Sequence, residues 1–441
     1  MAIDARAPGL SRQAIDEVAD AGQEPDWLRA HRRAAWDVYE ATPNPERTDE
    51  EWRRTDLRWL QWESLTPAPS LDSLDRVPAT VPAAALSPSV TMLVSAAGAR
   101  VIDISPEARE AGVVALDLAE AARTRPELVR DRLSTTAVTP GQGKFQALNA
   151  ALWQGGTLVH VPRGAVLAQP ILVVVCDDAA LRQPHLLASL GEGAQAAIVE
   201  WWADAASDSQ ALVNGATELF ADAGSHLTYT HVQGLSSGTR SILSQRAMVR
   251  RDATFTGTNV TVGGRFHKAR VEASLTEPGA SVVMNGAFRL GGRQFVDHHT
   301  TQGHLATDGT SDLLFAGVLD GRARSVYAGT IVVDPKAQRT NAYQNNRNLL
   351  LNSGTRADSI PRLEIMADDV RCTHGATTST LEPSHLYYLC SRGLTEAHAR
   401  ELIVEGYFEA VLDRVPHEGV RDVLRGVLTA PAPTRDGATG I

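Results

Sequence analysis

A cysteine and a histidine two residues apart, Cys372 and His374 in the stretch VRCTHGAT, are candidate ligands for a metal or a sulfur cluster. Thiolate and imidazole are ligands that zinc and iron–sulfur clusters take in proteins. If EIMADDVRCTH, which ends at His374, is a β-strand, residues two apart face the same way and the two side chains point together. Two ligands are half of a site, so a functional site here needs ligands from a second chain. The alternative is a small buried cysteine beside a hydrogen-bonded histidine, which the short C-x-H spacing favours when taken alone.

A second group of candidate ligands lies in DHHTTQGH, residues 297–304. In a strand, Asp297, His299 and Thr301 share one face and His298 faces the other way. A zinc or non-haem iron site is conceivable from such a set. The alternative is a row of polar side chains on a β-sheet surface. It is favoured here because no H-E-x-x-H or similar helical motif accompanies the histidines.

Paired carboxylates are the main sign of a possible enzyme. They occur at Asp177-Asp178 and Asp368-Asp369 and leave open a carbohydrate-active β-helix enzyme, either a lyase or a hydrolase. Such enzymes line a groove with aromatic side chains, whereas aromatic residues make up only 5% of this chain. The sequence also has no P-loop motif and no dinucleotide-binding glycine motif.

Composition and charge narrow the class of protein. The 441 residues are 43% hydrophobic and 21% charged, as expected for a folded chain with a sizeable core. A net charge of −10 without a Lys/Arg block argues against nucleic-acid binding. No apolar run approaches the ~18 residues of a membrane span, and the N-terminus lacks the apolar core of a secretory signal. With three cysteines and no C-x-x-C pair, we expect a cytoplasmic protein that binds no membrane and cannot supply four thiolates by itself.

The elements that must position these residues change in character along the chain. Helical spacing and short strand patterns mix before residue 150, and alternating apolar and polar residues with frequent turns follow. After Thr378 the pattern becomes helical again. We therefore predict four segments: an N-terminal helical and mixed region over 1–150, a β core over 151–378, a C-terminal helical domain over 379–430 and a disordered tail over 431–441.

Turn dipeptides recur through the β core and separate strand-length segments. They are Arg251-Asp252, Gly263-Gly264, Pro278-Gly279, Gly291-Gly292, Asp308-Gly309, Asp320-Gly321, Asp334-Pro335 and Ser353-Gly354. Even spacing of short strands fits a sandwich, a barrel or a solenoid. Polar stretches such as TFTGTNVTV and RTNAYQNNRN favour coils stacked in register, so we predict an irregular β-helix.

Two helices are predicted to close the chain. The first begins with Pro383 in its first turn and ends at Gly393. The second has Thr395 as its N-cap and carries one apolar stripe. The residues of that stripe are Leu402, Ile403, Tyr407, Val411 and Leu412.

Two long segments closely resemble the SufB/SufD family of iron–sulfur cluster assembly proteins. They are LFAGVLDGRARSVYAGTIVVDPKAQRTNAYQNNRNLLL and PRLEIMADDVRCTHGATTSTLEPSHLYYLCSRGL, and KFQALNAALWQGGTLVHVPRG and RTDEEWRRTDL fit the same family. The H-G-A-T motif, where SufB typically has H-E-A-T, and the low cysteine content resemble the SufD branch. The resemblance implies a mainly β fold, with a right-handed β-helix core flanked by an N-terminal helical region and a C-terminal helical domain.

The resemblance also implies partners and a cargo. In the family, SufD pairs with SufB through the β-helices, and each binds one SufC, an ABC-type ATPase, through its C-terminal helical region. Sulfur comes from a cysteine desulfurase system, and a nascent iron–sulfur cluster forms transiently at a site shared with SufB. A homodimer is the form open to the chain alone. A reduced flavin belongs to such assemblies by resemblance, although the sequence shows no flavin motif.

The resemblance assigns roles to particular residues of a non-catalytic scaffold subunit. His374 would lie near the SufB interface and contribute to cluster assembly beside a SufB cysteine, with Cys372 as a tentative second ligand. Cys390, where relatives more often carry arginine, is expected only to pack. The residues expected at the ATPase contact are Leu386, Tyr387, Leu389, Arg392, Leu402 and Tyr407. Two alternatives stay open: a carbohydrate-active β-helix enzyme, and a purely structural SufD-type dimer without a ligand role.

Overall fold

The alternating residues of the chain's middle part form strands that stack as the coils of a β-helix. The computed structural model describes residues 9–66, 76–206 and 210–430. The β-helix has about 8 turns, with helices at both ends of the chain. The predicted mainly β class and β-helix core are therefore confirmed. The predicted tail over 431–441 lies outside the described residues, and the division at residues 150, 378 and 430 stays a prediction.

Twenty strands occur in the described residues. In chain order they are β1 Val90–Ser95, β2 Gly98–Ile104, β3 Val114–Asp117, β4 Gly156–Val161, β5 Ile171–Asp177, β6 Leu181–Arg182, β7 His185–Leu190, β8 Gln195–Asp204, β9 Leu212–Ala221, β10 His226–Gln233, β11 Arg240–Val249, β12 Thr254–Thr261, β13 Phe266–Leu275, β14 Ser281–Leu290, β15 Phe295–His304, β16 Thr310–Leu319, β17 Arg324–Val333, β18 Thr340–Leu350, β19 Arg356–Ile365 and β20 Val370–Thr380.

Successive strands alternate between two sheets that face each other. The first sheet has the order β2-β1-β5-β8-β10-β12-β14-β16-β18-β20, and the second has β19-β17-β15-β13-β11-β9-β7-β4-β3 with β6 beside β9. Neighbouring strands of consecutive coils are parallel and in register, so that Phe266 pairs with Phe295 and Phe295 with Arg324. This confirms the in-register stacking that the polar stretches predicted.

Ten α-helices occur in the described residues. They are α1 Arg12–Ala21, α2 Asp26–Ala41, α3 Ala83–Leu86, α4 Pro106–Glu110, α5 Leu118–Thr124, α6 Pro126–Val129, α7 Lys144–Leu152, α8 Pro383–Ser391, α9 Glu396–Leu412 and α10 Glu418–Thr429; 3₁₀ turns lie at Glu50–Trp52, Trp62–Ser64 and Pro140–Gln142. No helix in the described part of the chain is long and apolar enough to cross a membrane.

The inside of the β-helix is filled by side chains from both sheets, and glycines make room for the large ones. A Cβ on Gly317 would lie 2.0 Å from a ring carbon of Phe288, and a Cβ on Gly286 would lie 2.3 Å from Phe315. Each glycine is the register partner of the phenylalanine on the neighbouring strand of the same sheet, and only glycine leaves room there for the ring. Large side chains are thereby packed closely inside these coils.

Helices cover the outer face of each sheet. The C-terminal helices α9 and α10 bury Val404, Phe408 and Leu424 against strands β14 and β16 of the first sheet, whose outward-facing residues include Ala287 and Leu314. The N-terminal helices and a tryptophan-rich segment cover the second sheet. Burial of apolar area at about 25 cal/mol per Å² drives both contacts.

A buried ion pair joins α2 to the end of α7. Arg32 on α2 pairs with Glu24, with 2.6 Å between Nη2 and Oε1, and both side chains are almost fully buried. The same guanidinium donates to the carbonyl oxygens of Ala151 and Trp153. Each donor of a buried guanidinium needs a partner, and these contacts provide them.

The C-terminal helices differ from the prediction in two ways. The ends of α8 and the N-cap of α9 are confirmed, since the Thr395 side chain accepts a hydrogen bond from the His398 amide. However, a third helix, α10, follows and supplies part of the apolar face. The predicted stripe on α9 is shifted: its buried residues are Ala399, Val404, Phe408, Val411 and Leu412. Leu402 is exposed, because the helix packs against both the first sheet and α10 rather than against one surface.

Several histidines lie inside the β-helix and stay uncharged there. Burial lowers the pKa of His231 to about 3 and that of His298 to about 4, against an ordinary value of 6.5. Burial also lowers the pKa of His304 to about 4 and that of His267 well below its usual range. Their neighbours are mainly aromatic rings, with 5.6 Å between the ring centres of His267 and His298.

Acid should therefore begin to destabilise the fold at a pH well above the range in which ordinary carboxylates titrate. The folded pKa of each histidine lies below the unfolded value of 6.5, so unfolding takes up protons between the two values. The stability is fully present above pH 6.5 and is lost as the pH falls towards 4, at up to ~1.4 kcal/mol per pH unit for each histidine. We expect the unfolding free energy from urea titrations to fall as the pH is lowered from 7.5 to 4.5. In His298→Leu, the slope of this free energy against pH should correspond to the uptake of about one proton fewer. An unchanged slope in that variant would contradict the assignment.

Candidate functional site

The last coil of the β-helix leaves one edge of each sheet without a neighbour. Among the described residues, strand β19 pairs only with β17, and β20 pairs only with β18. Most residues of these two strands are exposed or half-buried, in contrast to the buried strands before them. We call this surface, formed by 356–365 and 370–380, the open end. An unpaired edge presents backbone N–H and C=O groups that can bind another strand.

His374 and Cys372 lie on β20 at the open end. Cys372 is in register with Ala342 on β18, and His374 is in register with Gln344. Ala342 and Gln344 are buried inside the β-helix, so the two candidate residues occupy the inward-facing positions of the last strand. The structure thus confirms that they share a strand face. The stretch EIMADDVRCTH is not one strand, however, because a turn at 366–369 separates β19 from β20.

Cys372 is partly buried against the end of the hydrophobic lumen. It packs on a cluster that includes Ile331, Val333 and Ala342. Burial raises the pKa of the Cys372 thiol above its ordinary value. Because the thiolate is the form that binds metals, this environment favours a packing role while the chain is alone.

His374, in contrast, is exposed at the open end. In the described residues, no three His, Cys, Asp or Glu side chains come together in a group that could hold a metal ion. The imidazole is therefore an accessible single ligand, and the other ligands of any metal or cluster held there must come from outside these residues.

Apolar side chains accompany the histidine at the open end. Leu363 and Ile365 on β19 and Met366 in the following turn are exposed large hydrophobic residues. Leu363 and Ile365 are in register with the buried Ile331 and Val333, so they continue the lumen core without a coil to cover them. Exposed apolar surface next to an unpaired strand edge is typical of a protein interface.

The Asp297–His304 segment is divided between the two sides of β15, as predicted. His298 and His304 face the lumen, and Asp297 and His299 face outward, with 3.0 Å between Asp297 Oδ1 and His299 Nε2. The Asp297 carboxylate accepts hydrogen bonds from Lys268 Nζ at 2.7 Å and from the Thr55 hydroxyl. This set holds the N-terminal segment on the second sheet, so the interpretation as polar residues of a β-sheet, rather than a metal site, fits the geometry.

The electrostatics of Asp297 follow from these contacts. Burial alone would raise its pKa, but the charge of Lys268 and the hydrogen bond from His299 outweigh burial and keep the pKa well below the usual range. Lys268 Nζ also donates to the Glu51 carbonyl at 3.0 Å and lies over the Trp52 ring. Asp297 and Lys268 are thus a charged pair buried between two layers.

Two enzyme-like features, Asp177 of the first carboxylate pair and a segment with G-x-S-x-G spacing, have structural partners. Asp177 accepts hydrogen bonds from the backbone amides of Ala96, Asp178 and Ala179. The segment GLSSG at 234–238 has the G-x-S-x-G spacing, but it forms the turn between β10 and β11 rather than a strand-to-helix turn. The Ser236 hydroxyl there donates to Asp204. These contacts leave neither feature the geometry of a catalytic site.

The first C-terminal helix, α8, stands away from the β-helix. It has no buried residue, and Tyr387 is 78% exposed. A cavity of about 540 Å³ lies between α8 and the end of the first sheet, lined by Leu350, Leu386 and Cys390 among others. Leu386, Leu389 and Tyr407 are half-buried, whereas Tyr387, Arg392 and Leu402 are exposed. Exposed apolar residues on an uncovered helix provide a surface for a partner.

The helices behind α8 are, by contrast, firmly attached. Arg289 on β14 donates to the carbonyl oxygens of Leu428 and Thr429 at the end of α10. Its other terminal nitrogen contacts both carboxylate oxygens of Glu401 on α9 at 2.9 Å. Sequence analysis did not predict this anchor, because a single arginine in a strand carries no signal of its distant partners.

Comparison with known proteins gives a consistent relationship. Residues 173–407 match the family model "SUF system FeS cluster assembly, SufBD core domain", and residues 85–173 match the SufBD protein N-terminal region. The chain is 26% identical to the iron–sulfur cluster assembly protein SufD of Bacillus subtilis, over 95% of this chain and 97% of that protein. It is 23% identical to SufB of the same organism, over 93% and 90%. A SufBD family protein of Synechocystis is 29% identical over 65% of this chain and 66% of its own length.

The buried pair on the outer face of the second sheet gives a direct test of the packing. Replacing Lys268 with Met leaves the Asp297 carboxylate buried without its cation, which should cost about 3–5 kcal/mol of unfolding free energy. Adding Asp297→Asn to that variant should recover much of the loss, because no buried charge then remains. Denaturant unfolding of both variants measures this.

The control is the pair Arg250–Asp222, 3.3 Å apart, in which the arginine side chain is about half exposed and the aspartate is partly exposed. Arg250→Met should change the unfolding midpoint far less, because exposed pairs are screened by solvent. Equal losses in Lys268→Met and Arg250→Met would contradict the buried-pair assignment.

Proposed function

This chain belongs to the SufBD family of the SUF system for iron–sulfur cluster assembly, and from that premise we propose that it is the SufD-type scaffold subunit of a complex with SufB and the ATPase SufC. The family model of the core covers more than half of the chain. The choice of the SufD branch rests on the H-G-A-T motif and on the match to a SufD along nearly the whole chain.

The observation that carries this proposal is the position of His374 at the open end of the β-helix. A second β-helix that docks there with its own open edges continues the sheets beyond β19 and β20 and covers Leu363 and Ile365. A SufB subunit has the fold to do this, since SufB and SufD relatives both align with most of this chain. Docking of this kind brings His374 into contact with the partner.

His374 acts in this proposal as one ligand of a cluster shared between two chains. A neutral imidazole binds iron through a ring nitrogen, and a SufB cysteine supplies a thiolate from the other side. Cys372 is the tentative second ligand, and it has to lose the proton that its burial favours before it can bind iron. The cluster is a transient cargo, assembled at the interface and then released.

The C-terminal helices carry the proposed ATPase contact. Tyr387, Arg392 and Leu402 offer exposed contact area, and Leu386, Leu389 and Tyr407 support it from half-buried positions. Binding of ATP by two SufC subunits draws them together, and the attached C-terminal helices transmit this motion to the open end. This chain contributes binding and positioning and no catalytic group of its own.

The rest of the proposed setting follows from the same premise. Sulfur reaches the cytoplasmic complex from a cysteine desulfurase system, and the iron donor and any reduced flavin act on the assembled complex. A homodimer formed through the open ends is the state proposed for the chain without SufB, because two identical open ends present the same unpaired edges to each other.

The ligand role of His374 is tested by His374→Ala in the co-expressed complex. The mass measured in solution should be that of the intact complex, because the His374 side chain is exposed and the fold does not depend on it. Iron and acid-labile sulfide per complex, measured anaerobically, should fall about tenfold or more when this ligand is lost. His226→Ala, at another exposed strand histidine, is the matched control. A cluster content unchanged in His374→Ala would leave the purely structural dimer as the better function.

The ATPase contact is tested by placing charge on its exposed apolar residues. Tyr387→Asp and Leu402→Asp should each weaken SufC binding at least about tenfold, because interface aromatic and aliphatic anchors carry most of the binding energy. Leu305, which is 45% exposed in a loop between strands, provides the control substitution Leu305→Asp. Titration of SufC in solution measures all three, and equal affinity in the variants and the control would refute the assigned surface.

A further inference from the structure

A layer of buried amides lies in the lumen just beneath the open end. One hydrophobic cluster extends along the lumen from Val90 to Tyr327, and buried histidines and polar side chains such as Gln245 lie among its residues. On β18, the last strand before β20, three of the inward positions are Gln344, Asn346 and Asn348, and all three are buried. A polar layer inside a β-helix is costly unless its groups are hydrogen-bonded.

Two of these three amides have partners. The Asn346 amide nitrogen donates to the Phe315 carbonyl at 3.2 Å, and the Asn348 amide nitrogen donates to Asn346 Oδ1 at 2.8 Å. Ser359 on β19 also donates to Asn346 and accepts from Asn348. These contacts join the two sheets below the open end, which accounts for the two asparagines.

Gln344 differs from its neighbours. Its side chain is fully buried, yet neither Nε2 nor Oε1 has a hydrogen-bond partner within the described residues. Leaving such a group unpaired costs about 1–3 kcal/mol. The facing backbone makes space for it, since a Cβ on Gly329 would lie 2.5 Å from Gln344 Nε2. The fold therefore accommodates an amide that it does not satisfy.

The position of this amide relates it to the proposed cluster site. Gln344 is the register partner of His374, and both occupy inward-facing positions of adjacent parallel strands. Adjacent strands are about 4.8 Å apart, so Gln344 is the first side chain inward from His374 on that sheet. A group held by the imidazole and projecting into the lumen meets the Gln344 amide next.

We propose that Gln344 donates a hydrogen bond to a sulfide of the cluster held at His374, and so positions the cluster at the mouth of the lumen. This inference rests on the proposed function, because it needs a cluster at that histidine. Amide N–H groups are donors that suit the sulfur atoms of iron–sulfur clusters, and such bonds help to set their reduction potential. A neutral amide supplies the bond without adding a charge to the buried layer.

The test compares two buried glutamines with the same unmet hydrogen-bonding capacity. Gln245 on β11 faces the lumen several coils away, and both of its amide atoms also lack partners among the described residues. We therefore compare Gln344→Leu with Gln245→Leu in the full complex, loaded anaerobically with ferrous iron and sulfide. The readouts are iron and sulfide content, the reduction potential and the resonance Raman bands of the iron–sulfur bonds.

Gln344→Leu is expected to retain cluster at reduced yield and to shift its potential negative, because loss of an N–H donor disfavours the more negatively charged reduced state. Gln245→Leu is expected to match the unaltered complex. Equal shifts in the two variants would overturn the proposal, since the effect would then come from lumen polarity in general. Should Gln344→Leu fail to assemble, Gln344→Asn keeps the amide but withdraws it by one methylene, and the same negative shift is expected.

His374→Ala separates failure of this inference from failure of the proposed function. If His374→Ala loses cluster while Gln344→Leu is indistinguishable from the unaltered complex, Gln344 has no role towards the cluster and a buried water is its partner. The cluster role of His374 then still stands. If His374→Ala keeps its full cluster content, the cluster is not at this histidine and both proposals are wrong.

Discussion

Backbone pairing between successive coils is the constraint on which the rest of the structure depends. A coil of a β-helix forms almost none of its strand hydrogen bonds within itself, so each coil needs the next one to satisfy its N–H and C=O groups. At the N-terminal end β2 and β3 pair antiparallel with β1 and β4 and form the edge strands of the two sheets. At the other end β19 and β20 have one edge each without a partner among the described residues. The candidate site lies at this second end, where the parallel stacking of coils stops.

The same stacking explains why the lumen is sensitive to sequence. Register places side chains of successive coils in columns, so each residue must fit the ones above and below it. Phe288 and Phe315 fit because glycines lie opposite them, and buried histidines fill spaces where a neutral polar ring is tolerated. Polar amides inside such a stack are retained at a cost, which makes the unpaired amide of Gln344 more informative than an exposed one would be.

Much of the fold was predictable because turn chemistry and strand alternation are local properties. The recurring turn dipeptides marked the corners of the coils, and the shared face of Cys372 and His374 followed from strand geometry alone. The helix α10 was missed, and the buried face of α9 differs from the predicted stripe, because both depend on packing against a distant sheet. The different burial of Cys372 and His374 could not be predicted either. No local sequence pattern indicates that Cys372 packs on the lumen core while His374 is exposed to solvent.

The arrangement of β20 and α8 gives the proposed ATPase contact a short route to the cluster site. Strand β20 ends at Thr380 and α8 begins at Pro383, so the strand that carries His374 leads almost directly into the uncovered helix. β20 is bonded along one side only, whereas α9 and α10 are fixed by a large apolar contact and by Arg289. Elements with few buried contacts are the ones that move at least cost. In the proposed complex, a partner that pulls on α8 would therefore act on an edge strand of the β-helix, at the end where we propose that the second subunit docks.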